Sequence, residues 1–434
     1  MDSPLSDQSW EDISSEYHAF TQFLKTATDA DIDASISFHE AQIEKCEKSE
    51  EDHLPISEIV ERIRLAERAQ DILDDAKGIN PDATCPSLEL NLMQLSYFMY
   101  ADKKSLESLI VDNPPILLEY RLRSIEPFLS LILQKSKGPV DFYLPSNMQA
   151  SESTSLHQPC IKAVDGNRTI SRNLLEADKA RRRDEKCIAT SCPEFQVCHI
   201  LPFSINNATS KLRNARGIFQ RMIIPIVPRK DWLAMLALLV PDSKELGTSD
   251  KEWNMLSLNP LAHAIWNKAY FALEWIGVDP DTEPDTESDT DSYVNAKLRW
   301  HWLANGIPEA LGQTYLSEKG VTKGHSGRAV KLGTDHQVMA TAIKQGLNSA
   351  SKVSTNGVSL CRMSNFRPLM TDDVVRIKVK AEDVEKTKLM IELQWLALRM
   401  VAFCAAAEVV DELDSEPRYR LQDLSTWWDP STFC

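Results

Sequence analysis

A histidine, an asparagine and a second histidine follow one another at His199, Asn254 and His263, and Asn267 lies four residues beyond the last. Hydrolysis of a phosphodiester needs a base that takes a proton from water and a partner that holds this base in orientation. It also needs a group that carries the charge building on the phosphate and its leaving oxygen. A histidine at a strand end suits the first task and an asparagine the second. Residues four apart on a helix share a face, so His263 and Asn267 could offer two ligands to one divalent metal ion (Mg, Mn or Zn).

The elements that must position these groups are legible around them. Residues 195–198 read as a strand leading into His199, and Pro202 breaks its continuation. Residues 254–258 read as a second strand. Asn259-Pro260 opens a helix carrying His263 and Asn267, with proline at a first-turn position where its missing N–H costs nothing. Residues 268–273 leave that helix as a further strand.

Other residues bear chemistry more weakly. Arg181, Arg182 and Arg183 could contact phosphate, but adjacent residues on a helix point in different directions, so at most one or two would share a face. Cys187, Cys192 and Cys198 are close in sequence, yet their spacing fits no common zinc pattern, and packing as small apolar groups is the better account. His301 lies between Trp300 and Trp302, a set that could stack a ring but is more commonly core packing on one sheet face. The stretch 320–333 holds four glycines with Lys323, His325, Arg328 and Lys331, and reads as a flexible basic loop that matches no phosphate-binding pattern.

The strings RRDEKCIAT, VCHILPFS and NMLSLNPLAHAIWNKAYFAL together resemble the HNH-nuclease domain found in many fungal proteins, mostly of unassigned role. The similarity is close over about a quarter of the chain, residues 172–276, and looser over ELQWLALRMVAFCAAAE, which resembles the C-terminal helix of those proteins. The resemblance implies that His199 is the general base, Asn254 its orienting partner and His263 a metal ligand. Two positions depart from the family's pattern. Asn267 stands where many such domains place a second His or Asp, and Cys198 where many place an acidic ligand or another His. A neutral amide is a weak ligand for a hard cation, and a lone thiol favours a soft one.

Composition sets the frame. The chain of 434 residues carries a net charge of −16, but unevenly: residues 1–150 hold 13 basic and 28 acidic side chains, whereas residues 172–278 hold 15 basic and 11 acidic. Phosphate binding depends on local positive charge, so the nuclease-like segment remains compatible with nucleic acid. The first residues are acidic and polar, unlike a secretory signal. The longest apolar run, 232–240, is far shorter than the roughly 20 residues of a membrane span. Nine scattered cysteines suggest reduced thiols. The expectation is an intracellular protein, cytoplasmic or nuclear, with no membrane partner.

The expected fold is α+β. An N-terminal helical domain spans 1–145, with helical periodicity at Trp10, Ile13, Tyr17, Phe20 and Phe23 and again from Ile56 to Leu73, helices over 85–100 and 116–133, and a break at Pro114-Pro115. A Ser-rich linker follows at 146–171. The ββα-metal (HNH-like) core occupies 172–278. Residues 279–292, with seven acidic side chains in fourteen, read as a disordered loop, without the glycine a calcium loop needs at its turn. A mixed α+β region, 293–434, packs on the core, with strands at 296–303 and 374–379 and a long helix over 385–413. No repeat of 20–50 residues occurs.

Three functions fit this reading: a metal-dependent endonuclease, a hydrolase acting on DNA or RNA; an enzyme of fungal secondary metabolism on a repurposed HNH scaffold, with an RNA-linked substrate such as aminoacyl-tRNA; and a non-catalytic binding protein, with a protein partner on its acidic helical N-terminal region.

Overall fold

The computed structural model describes residues 54–79, 88–133, 161–164, 167–226, 229–240, 246–279, 292–304, 306–317, 327–333, 335–350, 354–355 and 358–405. The N-terminal periodicity at Trp10 to Phe23, Lys323 and His325, and residues 280–291 of the acidic stretch lie outside them.

Apolar spacing of three and four builds the first layer. Helix α1 (Ile56–Ile79) buries Ile59, Ile63, Ala66 and Ala69, and α2 (Leu92–Tyr100) is apolar enough to be buried nearly all round. Asn91 caps α2 reciprocally with Gln94, which satisfies two backbone N–H groups at the helix start. Residues 88–91, expected to be helical, are instead extended, and the residue at 91 bridges to Ala329. Helix α3 is Lys103–Val111. The single helix expected over 116–133 is two, α4 (Pro115–Arg123) and α5 (Ile125–Ile132), divided at Ser124, whose hydroxyl bonds back to Tyr120 O.

Part of the supposed linker is structured. Strands β1 (Ile161–Val164) and β2 (Asn167–Ile170) pair antiparallel. Helix α6 (Leu174–Asp184) follows, then β3 (Gln196–His199), α7 (Thr209–Ile226), α8 (Arg229–Leu239), β4 (Met255–Leu258) and α9 (Pro260–Asn267). Strands β3 and β4 form an antiparallel pair, His199 opposite Met255.

A second sheet joins β5 (Phe271–Val278), β6 (Tyr293–Trp302) and β7 (Val374–Lys380) in that order, all antiparallel. Strands β6 and β7 alternate between buried and more exposed residues, the signature of a sheet with one dry face. Trp300 and Trp302 are on that dry face; Trp300 stacks on Phe271 with centroids 3.7 Å apart. Helices α10 (Ile307–Tyr315) and α11 (His336–Leu347) pack on each other, and α11 on α1. Gly346 permits the first contact, because a Cβ there would meet Ile307 Cα at 2.6 Å.

The described part of the expected C-terminal helix is α12 (Val384–Phe403), which packs on α2, β5 and the 252–254 turn. One continuous apolar core runs from Ile59 through Leu256 and Trp300 to Cys404. The chain is thus mixed α+β, and the N-terminal helices share their core with the central and C-terminal elements.

Candidate active site

The β3–β4 hairpin is covered on both faces. Alternation sends Val197 and His199 to one side, Gln196 and Cys198 to the other. Val197 and Met255 pack against Ala180 of α6. On the opposite side α9 lies against the hairpin, and His263 Nδ1 faces Gln196 Oε1 at 3.2 Å. An amide oxygen only accepts, so Nδ1 carries the proton and Nε2 is the basic nitrogen of His263. Asn259 caps α9 through Ala262 N. His199 therefore leaves one face of the β3–β4 pair, and His263 lies against the other.

His199 is held by two charged groups of opposite sign. Its Nε2 lies 2.8 Å from Asp250 Oδ1, and Arg172 Nη2 lies 3.1 Å from its Nδ1. A carboxylate only accepts and a guanidinium only donates. His199 is thus the tautomer with the proton on Nε2 and the lone pair on Nδ1. Phe203 lies nearly parallel to the imidazole, 5.9 Å away centre to centre. The His199 side chain is 8% exposed and that of Asp250 2%. Burial is the main cause holding the imidazole below its ordinary pKa; Arg172 adds to the depression and Asp250 opposes it. The site holds a neutral, basic imidazole at neutral pH. His263 is depressed too, by burial first and Arg172 second. Arg172 also donates to Val197 O from the free edge of β3, so its charge reaches both faces of the hairpin.

By sequence pattern Asn254 is the orienting partner of the imidazole; in the structure that partner is Asp250. Asn254 is wholly buried, and its amide accepts from Leu201 N and donates to Leu201 O and Ser249 O, at 2.9–3.0 Å. It clamps the loop 246–250 that carries Asp250, and so acts on the imidazole through that loop. Asn206 grips the same loop through Thr248 and Ser249. Gly247 turns it with φ +76°, where a Cβ would collide with the Ile170 side chain. The backbone N–H of Asn173, cap of α6, donates to Asp250 Oδ2. Asp250 and Arg172 carry no signal of their own in the sequence, because each belongs to no local pattern. Asp250 is 51 residues from its histidine, and Arg172 precedes a helix that alone brings it to β3.

The three arginines separate. Arg183, expected to face phosphate, is instead structural: it is buried, forked onto Asp184 at 2.7 and 2.9 Å, and donates to Glu252 O and Met255 O. It is not available to phosphate. Arg181 and Arg182 are exposed at the C-terminal turn of α6.

Among the described residues no three His, Cys, Asp or Glu side chains converge as a metal site. Cys198 is buried, its thiol donates to Leu256 O, and burial pushes its pKa far up, away from the thiolate a metal binds. Asn267 is exposed at the end of α9, and a guanidinium occupies His199 Nδ1. Neither the buried thiol of Cys198 nor the neutral amide of Asn267 is a strong donor for a hard divalent cation.

His301 takes a different partner from its flanking tryptophans. It leaves the opposite sheet face, 3.0 Å from Glu274 Oε2, with its ring 4.7 Å from that of Trp395. In the glycine-rich stretch, Arg328 and Lys331 donate to backbone carbonyls of Leu316, Ser317 and Gln313, and so pin a loop. Among the described residues no helix is long and apolar enough to cross a membrane. No family model, curated protein or solved structure matches this chain.

Proposed function

We propose that residues 172–278 form an HNH-like ββα unit that hydrolyses phosphodiesters of nucleic acid, with His199 as general base. The observation that carries this reading is the polarised imidazole: Asp250 holds Nε2–H, and the exposed cation Arg172 meets Nδ1. A phosphate draws Arg172 away, because the guanidinium pairs better with a dianionic or monoanionic oxygen set than with a neutral nitrogen. Nδ1 then takes a proton from water. The water oxygen bonds to phosphorus, the bond to the leaving oxygen breaks, and that oxygen takes a proton from the imidazolium or from solvent. Asp250 stabilises the imidazolium between the two transfers. Arg172 carries the charge on the phosphoryl oxygens.

The near-complete closure of His199 and Asp250 favours a second reading, a clasp that fastens α6 and the 246–250 loop to the hairpin and does no chemistry. Nicking of supercoiled plasmid and cutting of a labelled single strand separate the two, measured with and without added Mg, Mn or Zn. Cleavage by the wild-type chain that falls at least about 100-fold in His199→Ala supports the base, since a general base contributes about 100- to 10,000-fold. No cleavage under any condition, or equal cleavage by His199→Ala, sinks the hydrolytic reading and leaves the clasp.

A further inference from the structure

The outer face of the β5–β6–β7 sheet is basic in a chain of net charge −16. The register pairs Lys297 of β6 with Arg376 of β7, while Lys378 and Lys380 follow on the same face opposite Asn295 and Tyr293, and Arg299 stands at the other end. Alternate strand residues recur about every 6.7 Å and neighbouring strands lie about 4.8 Å apart, so these cations form a two-row strip. Arg376 and Lys378 are exposed. The acidic groups facing the strip are Glu274, which His301 and Arg299 engage, Asp279, Asp372 at the Arg299 edge, and Glu252, which Tyr293 and Lys380 face. Asp279 shows what the strip accepts: its two oxygens lie 3.0 Å from Lys297 Nζ and 3.0 Å from Arg376 Nε, so cations on adjacent strands grip one oxyanion between them.

The strip continues toward the candidate active site. Tyr293 Oη donates to Glu252 Oε1, and Arg183 approaches that same carboxylate from the C-terminal turn of α6. That turn also carries the exposed Arg181 and Arg182, and α6 packs against β7. Helix α6, 11 residues and so about 16 Å long, begins next to Arg172.

We infer that this sheet face, with Arg181 and Arg182, is a docking surface for the phosphate backbone of a nucleic-acid strand. The repeat along the strip, about 6.7 Å, matches two steps of about 3.4 Å per strand in a nucleic acid. The surface reads no bases: it pairs charge with phosphate, so binding is tolerant of sequence and steep in salt. It rests on the proposed substrate being nucleic acid, but not on cleavage. The acidic stretch 279–292 adjoins this face in sequence and competes by charge, so the whole chain is the object to test.

The test is fluorescence anisotropy with a labelled 20-nucleotide single strand and the matching duplex, at about 50 to 200 mM salt. Arg376→Glu/Lys378→Glu is expected to weaken binding at least tenfold and to lower the salt slope by about one for each phosphate-binding cation removed. Arg376→Gln/Lys378→Gln should do the same more mildly, and circular dichroism verifies that both variants fold. Arg64→Glu/Lys104→Glu, the same charge change on α1 and α3, should leave affinity within about twofold. Binding by the wild-type chain without cleavage keeps the docking surface and sinks only the hydrolytic reading, so the two fail separately. The inference is overturned if the wild type binds neither probe, if the sheet variant binds like the wild type, if the α1/α3 control loses as much, or if poly-glutamate binds more tightly than either nucleic acid.

Discussion

Among the imidazole–carboxylate pairs of the described residues, His199–Asp250 and His301–Glu274 differ more in their surroundings than in their geometry. His199 and Asp250 meet at 2.8 Å, His301 and Glu274 at 3.0 Å. The first pair is 8% and 2% exposed, the second 19% and 33%. In the dry pair burial outweighs the carboxylate and drives the imidazole toward its neutral form. In the wetter pair the main effect is on the acid: the hydrogen bond from His301 holds the Glu274 carboxyl below its ordinary range. The same two functional groups give an imidazole held below its ordinary pKa in one place and a depressed carboxyl in the other, because desolvation scales with what covers them.

Activity should separate the two pairs most sharply. His199→Ala should lose at least about 100-fold in nicking rate, whereas His301→Ala should stay within about threefold. Equal losses would show that neither imidazole is the base. Next comes stability. Asp250→Ala strips the acceptor from His199 Nε2–H and Asn173 N–H in a nearly closed site, a cost of on the order of 3 kcal/mol by urea denaturation. Glu274→Ala, at the half-buried and wetter pair, should cost less, about 1 kcal/mol.

Asn254→Ala sharpens the role of the loop. It leaves Leu201 and Ser249 backbone groups unpaired in a buried place, at about 2 kcal/mol. The acid limb of the pH–rate profile should also change in this variant, because Asp250 is no longer held; a limb identical to that of the wild type would make Asn254 purely structural.

The pH dependence of stability gives the smallest effects and a definite sign. A histidine whose folded pKa is depressed binds its proton more readily in the unfolded chain. Stability is therefore full above about pH 6.5 and falls as the pH drops below that value toward the folded pKa. His199 and His263 both contribute in this direction. Thermal melts at pH 7.5 and 5.5 should differ less in His199→Gln than in the wild type. Glu274 acts lower: its folded pKa is depressed, so its contribution is present above about pH 4.5 and is lost below it. Glu274→Gln should flatten the melt only in that acid range.

Periodicity and punctuation settled the elements. The strand before His199, the strand at 255–258 and the Asn259-Pro260 helix start are local patterns, and local patterns survive in any tertiary context that buries one face. The alternation of β6 and β7 likewise foretold which tryptophans enter the core. Division of the helix at Ser124 and the hairpin within 161–170 were not legible, because their neighbours, not their composition, stabilise them.

Partnership was decided by the fold alone. The orienting role passed from Asn254 to Asp250 because a glycine turn and two asparagine clamps carry a loop aspartate to the end of β3. Of three identical neighbours in sequence, Arg183 became buried scaffold and Arg181 and Arg182 stayed in solvent, a matter of which helix face met the hairpin. Residue types and their spacing along the chain are properties of the sequence by itself. How far water is excluded from each, and so which imidazole is pushed toward its neutral form, depends on residues tens of positions away and appears only when the chain has packed.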